Sequence, residues 1–291
     1  MFFCEVFGEM HNTYFFPLEN PEPTCYNKKK KGCEAMKRSL SMRLRELGNT
    51  YRKNEYAIKP YLIKDGKAHP VAIICPGGGY RRVCDFIEGY PFARKLNKMG
   101  YHAVVVFYRV RNLAVFPNPQ DDLACAVQEV FRHAEEWKLD MTGYSVWGSS
   151  AGGHLAGSFG TESMGYVKYG LPKPGSLVLV YPVVTMGEKT HQGSRNYHIG
   201  AYASQEYIDL TSIEKQVTDK YPPTFLWWGD CDGTVDPDNS RMLQAALEAH
   251  HIPCLCREYA SVDHGIGIGK GLPCEGWFED AVAFWESQRT K

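Results

Sequence analysis

The chain has 291 residues, of which 44% are hydrophobic, 13% aromatic and 23% charged, an ordinary globular mixture able to bury a large core. Lys and Arg together number 33 and so do Asp and Glu, so no basic field exists to neutralise phosphates, which argues against a nucleic-acid partner. No run approaches the ~18 uninterrupted apolar residues of a membrane span. Glu5 and Glu9 stand where a secretory leader would carry basic and then apolar residues. The expected location is the cytoplasm.

Residues 1–55 read as an N-terminal extension, packed on the main domain or partly mobile. They hold Pro17, Pro21 and Pro23, a lysine run at 28–31, and a basic stretch at 34–47 that is a candidate helix. The lysine run is short and has no interleaved aromatics, so it reads as a solvated loop. Regular alternation begins near residue 57. Residues 69–75 form an apolar run that stops at Pro76 and three glycines, as a buried strand would. Residues 88–99 place Phe92, Ala93, Leu96 and Met99 at helical spacing before the stop signal Gly100.

A β-branched strand follows at 101–108. A long helix over 119–137 puts Leu123, Val127, Val130, Phe131 and Ala134 on one face, with Asp121 and Asp122 near its positive end. Residues 144–147 read as a brief strand leading into a helix from Ser150. Further strands are expected at 176–181, 224–228 and 254–259, and helices at 239–250 and 276–289. Strands buried on both faces and alternating with helices predict an α/β fold with a mostly parallel sheet covered on both sides. The polar, glycine-containing stretch 183–223 breaks the pattern. It is a candidate insertion over the C-terminal edge of the sheet, where open α/β folds place their sites. The catalytic domain is therefore expected over 56–291.

The chemistry is concentrated in a few segments. Gly148-Ser149-Ser150-Ala151-Gly152 fits G-x-S-x-G between a strand and a helix, the setting that projects a serine hydroxyl from the end of a sheet. A tight turn without chemistry is the plainer reading of the pentapeptide alone, and Ser149 is the neighbouring hydroxyl. Pro76-Gly77-Gly78-Gly79-Tyr80 follows a strand directly. Successive glycines carry an entropic penalty that turning backbone N–H groups toward an oxyanion would justify. Ala151 N–H is the further donor.

An acid and a histidine should follow in that order. Asp230, Asp232, Asp236 and Asp238 compete for the first role. Asp232 best suits the D-x-x-V register in a loop leaving a strand, Asp230 lies nearer the strand end, and the last two read as solvated or helix-capping groups. His264, on a glycine-rich loop after the last strand, is the candidate base. His154, one turn past Ser150, reads as structural, and His250 and His251 as partners of a helix dipole. His191 and His198 lie in the insertion and are candidate pocket residues, together with Tyr80. Tyr202, Trp147 and Trp228 are further aromatics, the two tryptophans better read as core.

Ten cysteines read as reduced thiols. Cys75, Cys125 and Cys231 sit beside or inside expected core elements. Cys254 and Cys256 are too close together for a zinc knuckle, and a metal held by Cys4, Cys25 and Cys33 is the weaker reading of their spacing. The Gly265–Gly271 run lacks the phosphate-loop spacing. No cofactor or metal is expected.

CPGGGY, EGYP, YRV, PNPQDD, GSSAGGHLAG, YPPTF, GDCDGTVDPDNS and VDHGIG together resemble the α/β-hydrolase serine esterases of the acetyl xylan esterase and feruloyl esterase type, over roughly residues 57–290. The resemblance implies a Ser150, Asp232 and His264 triad, with Gly78, Gly79 and Ala151 around the oxyanion. It implies hydrolysis of acetyl or other short acyl esters on oligosaccharides such as xylo-oligosaccharides. A general short-chain carboxylesterase or a serine peptidase is the alternative, although 55 residues cannot form the propeller such peptidases usually carry. A binding module that has kept the fold is the third reading. Small molecules or oligosaccharide esters are the expected partners, rather than nucleic acid or a membrane.

Overall fold

In Val71-Ala72-Ile73-Ile74 all four side chains are buried, although neighbours on a strand point to opposite sides. Val71 and Ile73 join one core and Ala72 and Ile74 another. The sheet is therefore covered on both faces. The computed structural model describes residues 14–17 and 55–289. Its strands are β1 (Tyr14–Pro17), β2 (Glu55–Tyr61), β3 (His69–Cys75), β4 (His102–Phe107), β5 (Leu139–Ser149), β6 (Ser176–Val180), β7 (Thr224–Gly229) and β8 (Cys254–Tyr259). They form one eight-stranded sheet in the order β1-β2-β4-β3-β5-β6-β7-β8. Pairing is antiparallel from β1 through β2 to β4 and parallel from there on.

The helices are α1 (Tyr90–Lys98), α2 (Asn118–Arg132), α3 (Ser150–Phe159), α4 (Gln192–His198), α5 (Gln205–Thr211), α6 (Asp238–Ala249) and α7 (Trp277–Arg289). Phe92 and Leu96 of α1 and Trp277, Phe278 and Trp285 of α7 pack on one face with Ile74, Val105, Trp147 and Trp227. Leu123 and Val127 of α2, Leu155 of α3 and Leu243 of α6 cover the other face with Ile73, Val104, Val146 and Leu179. Each of these five helices thus presents the stripe that its 3.6-residue apolar spacing defines.

The expected strands and helices recur with ends shifted by a few residues, and the α/β class stands. Four features differ. β2 carries no strand signal of its own, because Lys59 and Pro60 interrupt its apolar run; its place is set by antiparallel pairing with β4. β5 begins five residues early, its polar start paired with His69 and Pro70 across a register shift. The insertion contains α4 and α5, each only seven residues long, too short to show periodicity. Asp122 does more than face a helix terminus. It is buried and accepts hydrogen bonds from the Arg109 backbone N–H (2.7 Å) and Nε (2.9 Å), tying the start of α2 to the end of β4.

Apart from Tyr14–Pro17 and Glu55, the expected extension over 1–55 lies outside the described residues, as do its candidate helix and Cys4, Cys25 and Cys33. Cys231 is exposed rather than in the core, since it sits on the loop that leaves β7. Among the described residues no helix is long and apolar enough to cross a membrane.

Candidate active site

The C-terminal ends of β3, β5, β7 and β8 lie along one edge of the sheet, and each delivers part of the site. At the end of β5 the chain turns sharply into α3, and Ser150 takes a φ of 54°, a left-handed conformation that costs a non-glycine residue about 1–2 kcal/mol. The flanking glycines make the turn possible. A Cβ on Gly148 would stand 2.1 Å from the Gly152 carbonyl oxygen, and one on Gly152 would stand 2.1 Å from that of Cys75. Any side chain there would force the elbow away from β3.

Three side chains remote in sequence form one hydrogen-bonded chain. The Ser150 hydroxyl lies 2.8 Å from His264 Nε2, and His264 Nδ1 lies 2.6 Å from Asp232 Oδ2. With Nδ1–H donating to the carboxylate, Nε2 is left to accept the serine proton. The other carboxylate oxygen of Asp232 accepts the backbone N–H groups of Thr234 (2.9 Å) and Val235 (2.8 Å), which fixes the plane of the group. The rival acids are accounted for elsewhere. Asp230 accepts the Ser261 N–H, Asp236 pairs with Lys189, and Asp238 pairs with Lys189 and Arg241. Asp263, absent from the candidate acids, accepts the N–H of both Gly233 and His264 and so joins the acid loop to the base loop.

The glycine loop after β3 comes up against the same serine. The Tyr108 hydroxyl donates to the Pro76 carbonyl (2.6 Å), and the Gly78 carbonyl accepts from Arg81 and Arg82. Gly78 and Gly79 have φ of 127° and 66°, which glycine adopts without steric cost. Their N–H groups donate to no group among the described residues, whereas that of Gly77 is held by Glu88 (2.7 Å). Ala151 follows Ser150 in the first turn of α3, where N–H groups have no partner within the helix.

The candidate pocket residues divide. His191 caps α4 through its ring, and its Cε1 comes within 3.4 Å of where a Cβ on Gly79 would stand, so it borders the glycine loop. Tyr80 and His198 are corrections: both are fully buried and cannot meet a ligand. Their rings stack at 4.5 Å behind the loop, the Tyr80 hydroxyl meets His154 Nδ1 at 2.8 Å, and His198 Nδ1 donates to the Ala114 carbonyl. Burying polar rings without such partners would be costly, so the cluster braces the loop from behind. Trp147 and Trp228 are core, and Tyr202 is fully exposed.

Burial lowers the pKa of His154 to about 4 and of His198 to about 3, against an ordinary 6.5. Both are thus neutral when folded, while the unfolded chain takes up protons below about pH 6.5. Their contribution to stability is complete above that pH and is lost as pH falls toward the folded values. The melting temperature is expected to drop between pH 6.5 and 4, and His198→Gln should flatten part of the slope. Thermal melts across that window check this; a flat wild-type profile would contradict it.

Two more residues of the site are not among the candidates read from the sequence. Glu88 is buried beneath the glycine loop, and Tyr181 packs its ring 4.7 Å from that of His264. The EGYP motif contains the first, but nothing local marks it as buried. Tyr181 follows the apolar run of β6 and reads only as its end.

A mostly parallel sheet with a serine elbow at the end of its central β5, an acid after β7 and a histidine after β8 is the α/β-hydrolase arrangement. The BD-FAE family model matches residues 61–168. The chain is similar to the solved acetyl ester-xyloside bifunctional hydrolase from Caldicellulosiruptor lactoaceticus, at 30% identity and a TM-score of 0.73, covering 80% of this chain and 88% of that one. It is 29% identical to the acetylxylan esterase of Xylanibacter ruminicola over 72% of this chain and 45% of that protein. It is 27% identical to endo-1,4-beta-xylanase B of Butyrivibrio fibrisolvens over 84% of this chain and 41% of that protein. The chain belongs to the carbohydrate-esterase branch of the α/β-hydrolase superfamily, a group of carboxylic ester hydrolases. It spans less than half the length of these two curated relatives.

Proposed function

We propose that this chain is a serine esterase that removes short acyl groups, acetyl foremost, from oligosaccharides such as xylo-oligosaccharides. The observation that carries the reading is the unbroken run of hydrogen bonds from Ser150 through His264 to Asp232. In the reaction, Ser150 Oγ attacks the ester carbonyl carbon as its proton passes to His264 Nε2. Asp232 orients the ring and stabilises the imidazolium. The carbonyl oxygen becomes an oxyanion facing the N–H groups of Gly78, Gly79 and Ala151. Collapse expels the sugar alcohol, which takes the proton from His264, and leaves an acyl-serine. Water, deprotonated by His264, then attacks the acyl carbon, releasing the acid and restoring Ser150.

The sugar assignment draws support from the likeness to an acetylxylan esterase and to an acetyl ester-xyloside hydrolase, and polar groups line the surface beside Asp232. That surface is a shallow, open depression lined by Glu188, Lys189, Thr190, Gly233, Thr234 and Asp236, with Lys189 and Asp236 already paired to each other. In this reading His191, whose ring borders the glycine loop, hydrogen-bonds the substrate. The test is a panel comparing acetylated xylo-oligosaccharides with p-nitrophenyl acetate, p-nitrophenyl palmitate and peptide amides. Acetate release from the sugar esters, with the palmitate and amides hydrolysed at least about tenfold more slowly, is the expected result. Preference for the long chain would overturn the sugar reading in favour of a lipase-like enzyme, and amide cleavage would favour a peptidase.

A further inference from the structure

Beneath the glycine loop lies a carboxyl group that the proposed mechanism does not use. Glu88 is the penultimate residue of a single π-helical turn, Asp85–Gly89, inserted just before α1, a local irregularity that recurs at functional sites. Its side chain is buried, 4% exposed. One carboxyl oxygen accepts the Gly77 N–H at 2.7 Å, and the other accepts the Tyr181 hydroxyl at 2.8 Å. Burial pushes its carboxyl pKa up, opposed by these two hydrogen bonds and by the charge of His264.

Those two bonds reach opposite sides of the site. Gly77 begins the glycine loop, and a Cβ placed on it would touch both the Glu88 carboxyl (2.7 Å) and Ser150 Cβ (2.8 Å). Tyr181, on the far side, is held at a φ of 37° with its ring against His264, while its hydroxyl accepts the Gly267 N–H at 3.2 Å. Gly267 lies three residues beyond His264, so one tyrosine contacts the base and the loop that carries it. A single carboxyl group is thus linked to the oxyanion loop directly and to the base loop through one side chain. Glu88 itself makes no hydrogen bond to Ser150, His264 or Asp232 among the described residues.

We infer that Glu88 is a positioning residue that holds the oxyanion loop and the His264 loop in register through Gly77 and Tyr181. The inference rests on the esterase reading above. Its physical basis is that Gly77 N–H is buried and needs an acceptor. Loss of that acceptor releases the first residue of the glycine loop, and a shift of the loop there is expected to move the N–H groups of Gly78 and Gly79 relative to Ser150. Misplacement of this kind is felt in the transition state more than in the bound ester, because charge on the carbonyl oxygen develops only there.

The test uses the full chain with p-nitrophenyl acetate as substrate and benzylboronic acid as a tetrahedral mimic on the serine. For Glu88→Ala, kcat is expected to fall about 10- to 100-fold with KM within about twofold of wild type, the effect of a displaced reacting group. Boronate inhibition should weaken by a similar factor. Glu88→Gln keeps the shape and an acceptor for Gly77, so it should recover kcat to within about threefold of wild type. Should Glu88→Ala not fold, Tyr181→Phe severs the link from the other end while keeping the ring against His264. A loss of about fivefold or more in kcat at constant KM is expected there. A folded Glu88→Ala or Tyr181→Phe protein with wild-type kcat, or one altered in KM alone, would overturn the inference while leaving the esterase reading intact. Wild-type protein with no activity on the ester would instead overturn the esterase reading and this inference with it.

Discussion

Ser150→Ala is expected to lower kcat/KM for p-nitrophenyl acetate by about 10⁴-fold or more, with the melting temperature nearly unchanged. The substitution removes one oxygen atom, and with it the attacking group and the hydrogen bond to His264 Nε2. Alanine has the same Cβ, so the positive φ at this position is no more strained than with serine. The elbow is held by the glycines on either side and by the Val183 N–H bond to the residue 150 carbonyl (3.0 Å), neither of which involves the hydroxyl. Substrate contacts likewise persist, so the loss should appear in kcat rather than in KM. Some acceleration over water should remain from the backbone donors. Steady-state kinetics with active-site titration of the wild type decide the matter, and a variant within about tenfold of wild type would remove Ser150 from the mechanism. Ser149, the neighbouring hydroxyl, would then be the next residue to replace.

Asp232→Asn is expected to cost about 10⁴-fold in kcat while leaving the fold intact, because the local hydrogen bonds dictate which way the amide points. Thr234 and Val235 both donate to one oxygen of the native carboxylate. They can be satisfied only by the amide carbonyl, so the NH₂ group must face His264 Nδ1. A donor at that position makes Nδ1 the acceptor and moves the ring proton to Nε2. The base then offers a proton to Ser150 where it should accept one. The side chain is almost isosteric, so its packing hardly changes. Measured kcat at neutral pH, together with the Nδ1 and Nε2 proton resonances of His264, checks both the loss and its cause. A variant that kept most of its activity would place the orienting acid elsewhere, with Asp263, which already accepts the His264 N–H, as the first alternative.

Much of this site is legible in the chain because the chemistry leaves local marks. A serine framed by two glycines at a strand-to-helix junction is a specific local pattern, and the steric contacts at Gly148 and Gly152 give the reason those positions carry no side chain. The pattern of apolar residues locates the strands and helices for the same local reason: each element must bury one stripe or both faces. β2 and the two seven-residue helices leave no such mark, because their positions are set by neighbours rather than by their own periodicity. Tyr80 and His198 belong on the opposite side of the glycine loop from the one their sequence positions suggest. In sequence they lie respectively beside the loop and in the insertion, and nothing local says that their rings stack behind it.

What the residue order determined by itself, then, was the α/β class, the elbow, the glycine loop and the short set of acids and histidines from which a base and its partner would come. Only the tertiary structure decided which acid meets His264, which loop glycine loses its N–H to Glu88, and that Tyr181 joins Glu88 to the histidine loop. The physical reason is one of range. Steric demand at an elbow and burial of a periodic stripe act over a few residues, so they are written locally. A hydrogen bond between groups 32, 93 or 114 positions apart exists only once the sheet has brought the ends of its strands together.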